Sequence, residues 1–215
     1  MNVVFLGEST EEKRFLILCL AKIASCHSKI TVLSKKAYSF DEVTDSYEYC
    51  GIDFVLLKDD ENPLSKISEN TSNFVDAEEY MDIPEDFKVI AISETTRGKL
   101  ESCINLAGEY IWSQPSLYIY IIYLNIMEYC KIGSHFLNSY WEHNLPSFTK
   151  IVGTDEIYFE EKNRIVMIES QYSNKLPVRK LSLPIRNARR KIIQYIFSLD
   201  AKEAKTVLKR AERMK

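Results

Sequence analysis

The sequence predicts a three-layer α/β domain: a mostly parallel sheet flanked by helices, with a β-hairpin at an edge. Two observations carry this. The chain opens strand, helix, strand within 34 residues, and its early strands are short continuous apolar runs rather than alternating ones. Such runs belong to strands buried on both faces of a sheet. Composition agrees, since 215 residues at 46% hydrophobic and 12% aromatic can bury one sizeable core. A disordered or collagen-like chain is excluded on the same ground. Residues 1–215 read as a single domain, with an acidic insertion near 59–86 and two C-terminal helices.

Residues 2–6, Asn-Val-Val-Phe-Leu, form the first strand, stopped by Gly7. Ser9 is a good helix N-cap, with Glu12 three residues on as its capping-box partner. The helix over 10–25 places Phe15, Leu16, Cys19, Leu20, Ile23 and Ala24 on one side. Strands follow at 29–34, 52–57 and 87–92, all expected to be parallel. Between them 59–86 reads as a polar surface insertion holding one short helix. Leu100, Cys103, Ile104 and Ala107 mark a helix over 96–106, and 110–112 could add a strand. Residues 116–130 read as a helix that is apolar nearly all round, and therefore covered on two sides. Residues 155–160 and 164–169 alternate and read as the edge hairpin. Residues 177–184 are extended. Helices at 187–198 and 201–214 close the chain, the second capped by Asp200 with Glu203 as partner.

The net charge of −3 conceals an asymmetry. Residues 37–86 carry 15 acidic groups against Lys58 and Lys66, and 175–215 carry 13 basic groups against Asp200, Glu203 and Glu212. The two segments would attract within one molecule or across a dimer. The basic one, with Arg186, Arg189, Arg190, Lys209, Arg210 and Arg213, could also meet an acidic protein, an anionic membrane or, less readily, nucleic acid. The five cysteines lack metal-site spacing and read as reduced thiols. His27, His135 and His143 form no metal or nucleophile motif. The start lacks the features of a secretory leader, so a cytoplasmic protein is expected.

Chemistry could sit in two places. The turn Gly7-Glu8-Ser9-Thr10 joins a strand to a helix N-terminus, where free amides and the helix dipole favour anions. A phosphate loop needs more glycines, a Lys for the phosphates and a Ser or Thr for magnesium. Here there is one glycine, Glu8 stands where a phosphate would lie, and Lys13 is expected to face away. The segment 93–98 follows a strand at the expected carboxyl edge of the sheet, where ligands bind in open α/β folds. Glu94 and Arg97 are its candidates, with Asp59 as an added acid.

The order of elements, with Asn2-Val-Val-Phe-Leu-Gly7, Glu8-Ser-Thr-Glu-Glu-Lys13 and Lys29-Ile-Thr-Val-Leu33, resembles the deviant P-loop ATPases of the ParA and MinD class. That class includes the pilus-assembly localisation factors of the TadZ type. Leu183-Pro-Ile-Arg186 is similar to the class's stretch near the adenine pocket. The loop of the class is KGGxGKT; here Gly7, Ser9 and Thr10 are what remains of it, and Ser93-Glu94 stand where an Asp is expected. The resemblance implies a P-loop-like fold with a degenerate nucleotide site. It also implies dimerisation and partner recruitment as a peripheral protein at a membrane or secretion assembly.

The expected function is a non-catalytic, pseudo-ATPase-like scaffold or adaptor, acting without a cofactor as a homodimer or in a protein complex. Tyr118, Ile119, Ile122, Tyr123 and Ile126 are its expected interface. The alternatives are a nucleotide-binding enzyme, with ATP at an atypical site on the sheet's C-terminal edge, and a nucleic-acid module using the basic C-terminal helices.

Overall fold

Apolar runs flanked by turns build an eight-stranded sheet in the computed structural model, which describes residues 1–39 and 44–214. The elements in chain order are β1 (Asn2–Leu6), α1 (Glu11–Ala24), β2 (Ile30–Ser34), β3 (Ser46–Tyr49), β4 (Ile52–Leu56), β5 (Ser72–Ala77), β6 (Lys88–Glu94) and α2 (Arg97–Ser113). Then come β7 (Tyr118–Ile126), α3 (Ser134–Asn144), β8 (Lys150–Tyr158), α4 (Glu161–Ser173), α5 (Leu183–Phe197) and α6 (Ala201–Ala211). The strand order is β3-β4-β2-β5-β1-β6-β7-β8. Every neighbouring pair is parallel except β3–β4.

Alternate residues of each central strand enter opposite layers. Val3, Phe5, Val32, Phe74, Ile90 and Ile122 pack against α1, α4, α5 and α6. Val4, Leu6, Leu33, Val75, Val89 and Ile121 pack against α2 and α3. This is the expected three-layer domain, with parallel strands at the four positions read from the sequence.

Four local readings are corrected. Residues 116–130 are not a helix but contain β7, whose Ile119, Ile121, Ile122 and Tyr123 have at most 1% of their surface exposed. A strand with both faces covered is apolar all round, as a buried helix would be. Of the expected interface, Ile119, Ile122, Tyr123 and Ile126 thus lie in the interior of the chain, and Tyr118 alone is exposed. The segment 155–169 is not a hairpin: β8 pairs parallel to β7 and runs into α4, whose Asn163, Val166, Met167 and Ser170 are buried at helical spacing. The antiparallel edge pair is β3–β4 at the opposite edge, turned by Cys50 and Gly51, both at positive φ. Residues 59–86 contain, besides a short 3-10 turn, the interior strand β5 between β1 and β2. Residues 110–112 belong to α2.

At the C-terminus α5 begins at Leu183, earlier than expected, and α6 has the expected capping box between Asp200 and Glu203. No helix among the described residues is long and apolar enough to cross a membrane.

Candidate functional site

The carboxyl ends of β1, β2, β5 and β6 converge on the turn 7–10. Gly7 has φ +121°, and a Cβ there would lie 2.4 Å from the Ile92 carbonyl oxygen, so only glycine fits. Its amide donates to the Ala77 carbonyl at 3.1 Å, and the Thr10 amide donates to the Glu8 carbonyl at 2.9 Å. The helix cap is Thr10, whose hydroxyl accepts from the Lys13 amide. It is not Ser9, because the Ser9 hydroxyl turns inward and donates to Asp76 Oδ2 at 2.6 Å.

Lys13 reverses the expectation that it faces away. Its side chain is 1% exposed, and its Nζ lies 2.7 Å from Asp76 Oδ1, on a side chain with no exposure. The ammonium also donates to the carbonyls of Gly7, at 2.5 Å, and Ala77, at 3.2 Å. Asp76 Oδ2 accepts in addition from the hydroxyls of Tyr38 at 3.0 Å and Ser34 at 3.4 Å. Burial, and then the Asp76 charge, push the Tyr38 hydroxyl pKa well above its ordinary value, so it stays a donor. A cation and an anion buried together, each with further hydrogen bonds, satisfy one another in the interior.

Three features set this turn against a phosphate. The Gly7 and Thr10 amides are engaged within the chain. The one lysine of the turn and first helical turn is held by Asp76. The crevice at the turn, lined by Glu8, Thr10, Lys13, Ile92, Glu94, Lys99 and Leu124, has a volume of about 10 Å³, room for about one water molecule. Glu8 and Glu94 add negative charge at its mouth. The residues here do not fit the polyphosphate of a nucleotide. Gly7, Ser9 and Thr10, the expected remnants of a binding loop, serve the chain's own turn, buried network and helix cap.

The other candidates do not converge. Glu94 pairs with Lys99 at 3.0 Å, while Arg97 pairs with Glu101 at 2.8 Å. Asp59 lines a cleft of about 670 Å³ beyond the ends of β2, β4 and β5, whose wall also includes Asp76 and Ala77. That cleft carries Asp59, Asp60, Glu61, Asp76, Glu78, Glu79 and Asp82 against Lys35 and Lys36, so its field repels phosphate.

In the basic segment, Lys209, Arg210 and Arg213 are exposed and Arg190 is half-buried. Arg186 pairs with Glu212. Arg189 is corrected from the surface to the interior: it is 0% exposed, its Nε donates to the Ile185 carbonyl, and burial lowers its pKa. Asp41, Glu42 and Lys215, counted in the charged segments, lie outside the described residues. His27 rests edge-on against Phe197. Among the described residues no group of three His, Cys, Asp or Glu side chains is placed to hold a metal.

Asp76 is the residue that sequence reasoning missed. The signal was Asn-Phe-Val-Asp-Ala, a short apolar pair ending in a carboxylate, inside a segment too acidic to suggest a buried strand.

No protein-family model matches the chain, and no curated protein matches its sequence. Solved structures do match in shape. The cell division protein complex MinC:MinD of Aquifex aeolicus aligns over 99% of this chain and 94% of that one, with a TM-score of 0.57 at 11% identity. A ParA family ATPase of Chlorobium tepidum TLS aligns over 97% and 96%, with a TM-score of 0.56 at 11% identity. A plasmid partition protein of Borrelia burgdorferi B31, bound to AMPPNP, aligns over 92% and 98%, with a TM-score of 0.54 at 12% identity. The chain thus has the fold of the ParA and MinD class. At these identities the likeness is one of fold.

Proposed function

We propose that this chain is a non-catalytic scaffold or adaptor on the ParA/MinD fold, acting by self-association and recruitment of protein partners. The observation that supports it is the Lys13–Asp76 pair, which fills with the chain's own charges the place where that fold would cradle a phosphate. With its lysine neutralised and its Gly7 amide engaged, the turn has little to offer an incoming anion. What the fold keeps is a rigid platform with a polarised surface, a property suited to docking.

Thermal unfolding with and without ATP and magnesium tests this. A ligand at about 100 times its Kd stabilises the native state by about 2.7 kcal/mol, or roughly 5–10 °C for a domain of this size. The reading expects no shift and no release of inorganic phosphate. A shift of that size accompanied by phosphate release would replace the scaffold with an enzyme.

A further inference from the structure

Helix α5 buries a charge that no carboxylate among the described residues pairs with. Arg189 is 0% exposed, a place arginine seldom takes unpaired. Its Nε donates to the Ile185 carbonyl at 3.2 Å, and its guanidinium lies against the Cys19 thiol. Its Nη1 has no hydrogen-bond partner among the described residues. Glu212 is near enough for its charge to act on Arg189, yet Arg186 takes that carboxylate. Arg189 thus sits between α1, which carries Cys19, and the end of α6, which leads into Glu212. Closing α6 over it takes a guanidinium out of water without an ion pair in return, which costs free energy.

Little holds α6 down against that cost. Its buried residues are Ala204, Val207 and Ala211, all small or of middle size. Leu208 is partly buried beside them. Beyond these, the end of the helix is tied by the Arg186–Glu212 ion pair and by the Cys26 thiol, which donates weakly to Met214 Sδ at 3.1 Å. At its start, Ser198 at φ +53° turns the chain out of α5, and residues 198–200 alone join the two helices.

We propose that α6 is a latch that opens about residues 198–200 while the rest of the domain stays folded, the buried Arg189 guanidinium biasing it toward the open state. Opening lets water reach Arg189 and gives up the burial of a narrow apolar strip. A helix of 11 residues is marginal alone in water, so an undocked α6 melts and re-forms when it docks. The fold thereby contains a two-state element, which a partner preferring one state would bias. This goes beyond the proposed function, and its failure would leave the closed turn untouched.

Native-state hydrogen exchange of the full chain, read by mass spectrometry, tests it. Where closing outpaces chemical exchange, each rate reports how often a segment is open. Relative to intrinsic rates, the amides of 201–211 exchange roughly a hundredfold faster than those of β1. Fraying of a terminal helix would give that contrast too, so a substitution outside α6 decides. Arg189→Met keeps an unbranched apolar stem without the charge, and slows exchange in α6 by about tenfold. Fraying does not respond in that direction. Glu212→Gln removes the tie to Arg186 and speeds exchange in α6 by about tenfold, with α6 still ahead of β1. The proposal is overturned by an α6 as protected as β1 in any of these chains. It is equally overturned by an Arg189→Met chain that fails to fold or whose α6 exchanges no slower than the wild type's, or by a Glu212→Gln chain whose α6 exchanges no faster.

Discussion

Replacing Lys13 by Met removes the cation at the centre of the turn while keeping most of its volume. At the 2.7 Å separation of Lys13 Nζ and Asp76 Oδ1, an effective dielectric of about 20 gives an attraction of roughly 6 kcal/mol. Desolvating both ions consumes most of that, so the intact pair contributes little net stability. Breaking it is another matter. Lys13→Met leaves a buried carboxylate supported by the Ser9, Tyr38 and Ser34 hydroxyls alone, and takes a donor from the Gly7 and Ala77 carbonyls. The expected loss is about 3–5 kcal/mol, and Asp76→Asn should cost a similar amount by stranding the ammonium. The double variant should cost well under the sum, with a coupling of about 2 kcal/mol or more. Urea unfolding at neutral pH, followed by circular dichroism, measures all four proteins. A single variant within about 1 kcal/mol of wild type, or strict additivity in the double, would refute the claim that these charges depend on each other.

Gly7→Ala should destabilise by about 2–4 kcal/mol, since φ +121° and an Ile92 carbonyl oxygen 2.4 Å from the new Cβ both oppose a side chain; the same unfolding assay reads it. Burial pushes the Cys103 thiol up to about 12 and the Cys19 thiol up to about 11, whereas Cys130 is exposed. At pH 8 a thiol reagent followed by mass spectrometry should therefore label Cys130 first and leave Cys19 and Cys103 untouched until unfolding. The same shifts fix an alkaline limit. The folded chain holds these protons, and those of the buried tyrosines Tyr38, Tyr110 and Tyr123, at pH values where the unfolded chain releases them. Their contribution is fully present below the unfolded thiol value of about 8.5–9 and is lost as pH rises toward 12, so melting temperatures should fall from about pH 9 upward.

The parts legible in the sequence were those whose local pattern and tertiary fate agree. The β1–α1–β2 unit has apolar strands and an apolar helix stripe, and all are buried as read. Asp200 and Glu203 form their capping box at the exposed start of α6, whereas Ser9, which carries the same signature with Glu12, is drawn inward by Asp76 and leaves the cap to Thr10. Patterns failed where two structures share one signature. Tyr118–Ile126 is apolar on every side because both faces of the sheet are covered; its run of Ile and Tyr, β-branched and aromatic, was the cue for a strand over a helix. In 164–169 a local alternation masked the longer period of Asn163, Val166, Met167 and Ser170. Strand β5 was hidden by its polar members, which the fold satisfies individually: Asn73 donates to Asn2 Oδ1 and the Ser68 carbonyl, and Asp76 takes Lys13. With β5 hidden, half of the candidate site was hidden too. The turn's weakness as a phosphate loop was visible from its single glycine and Glu8. The reason Lys13 turns inward lies 63 residues further on, in a partner that local sequence cannot reveal.

The central claim is that the turn 7–10 is closed by the chain's own ion pair and takes no phosphate. Isothermal titration of the wild-type chain with ATP and magnesium, to about 1 mM ligand, tests it most directly. The account predicts no heat beyond dilution. A saturable isotherm with a Kd in the micromolar range, abolished by Lys13→Met in a variant that remains folded, would contradict it, because Lys13 would then serve a nucleotide rather than Asp76.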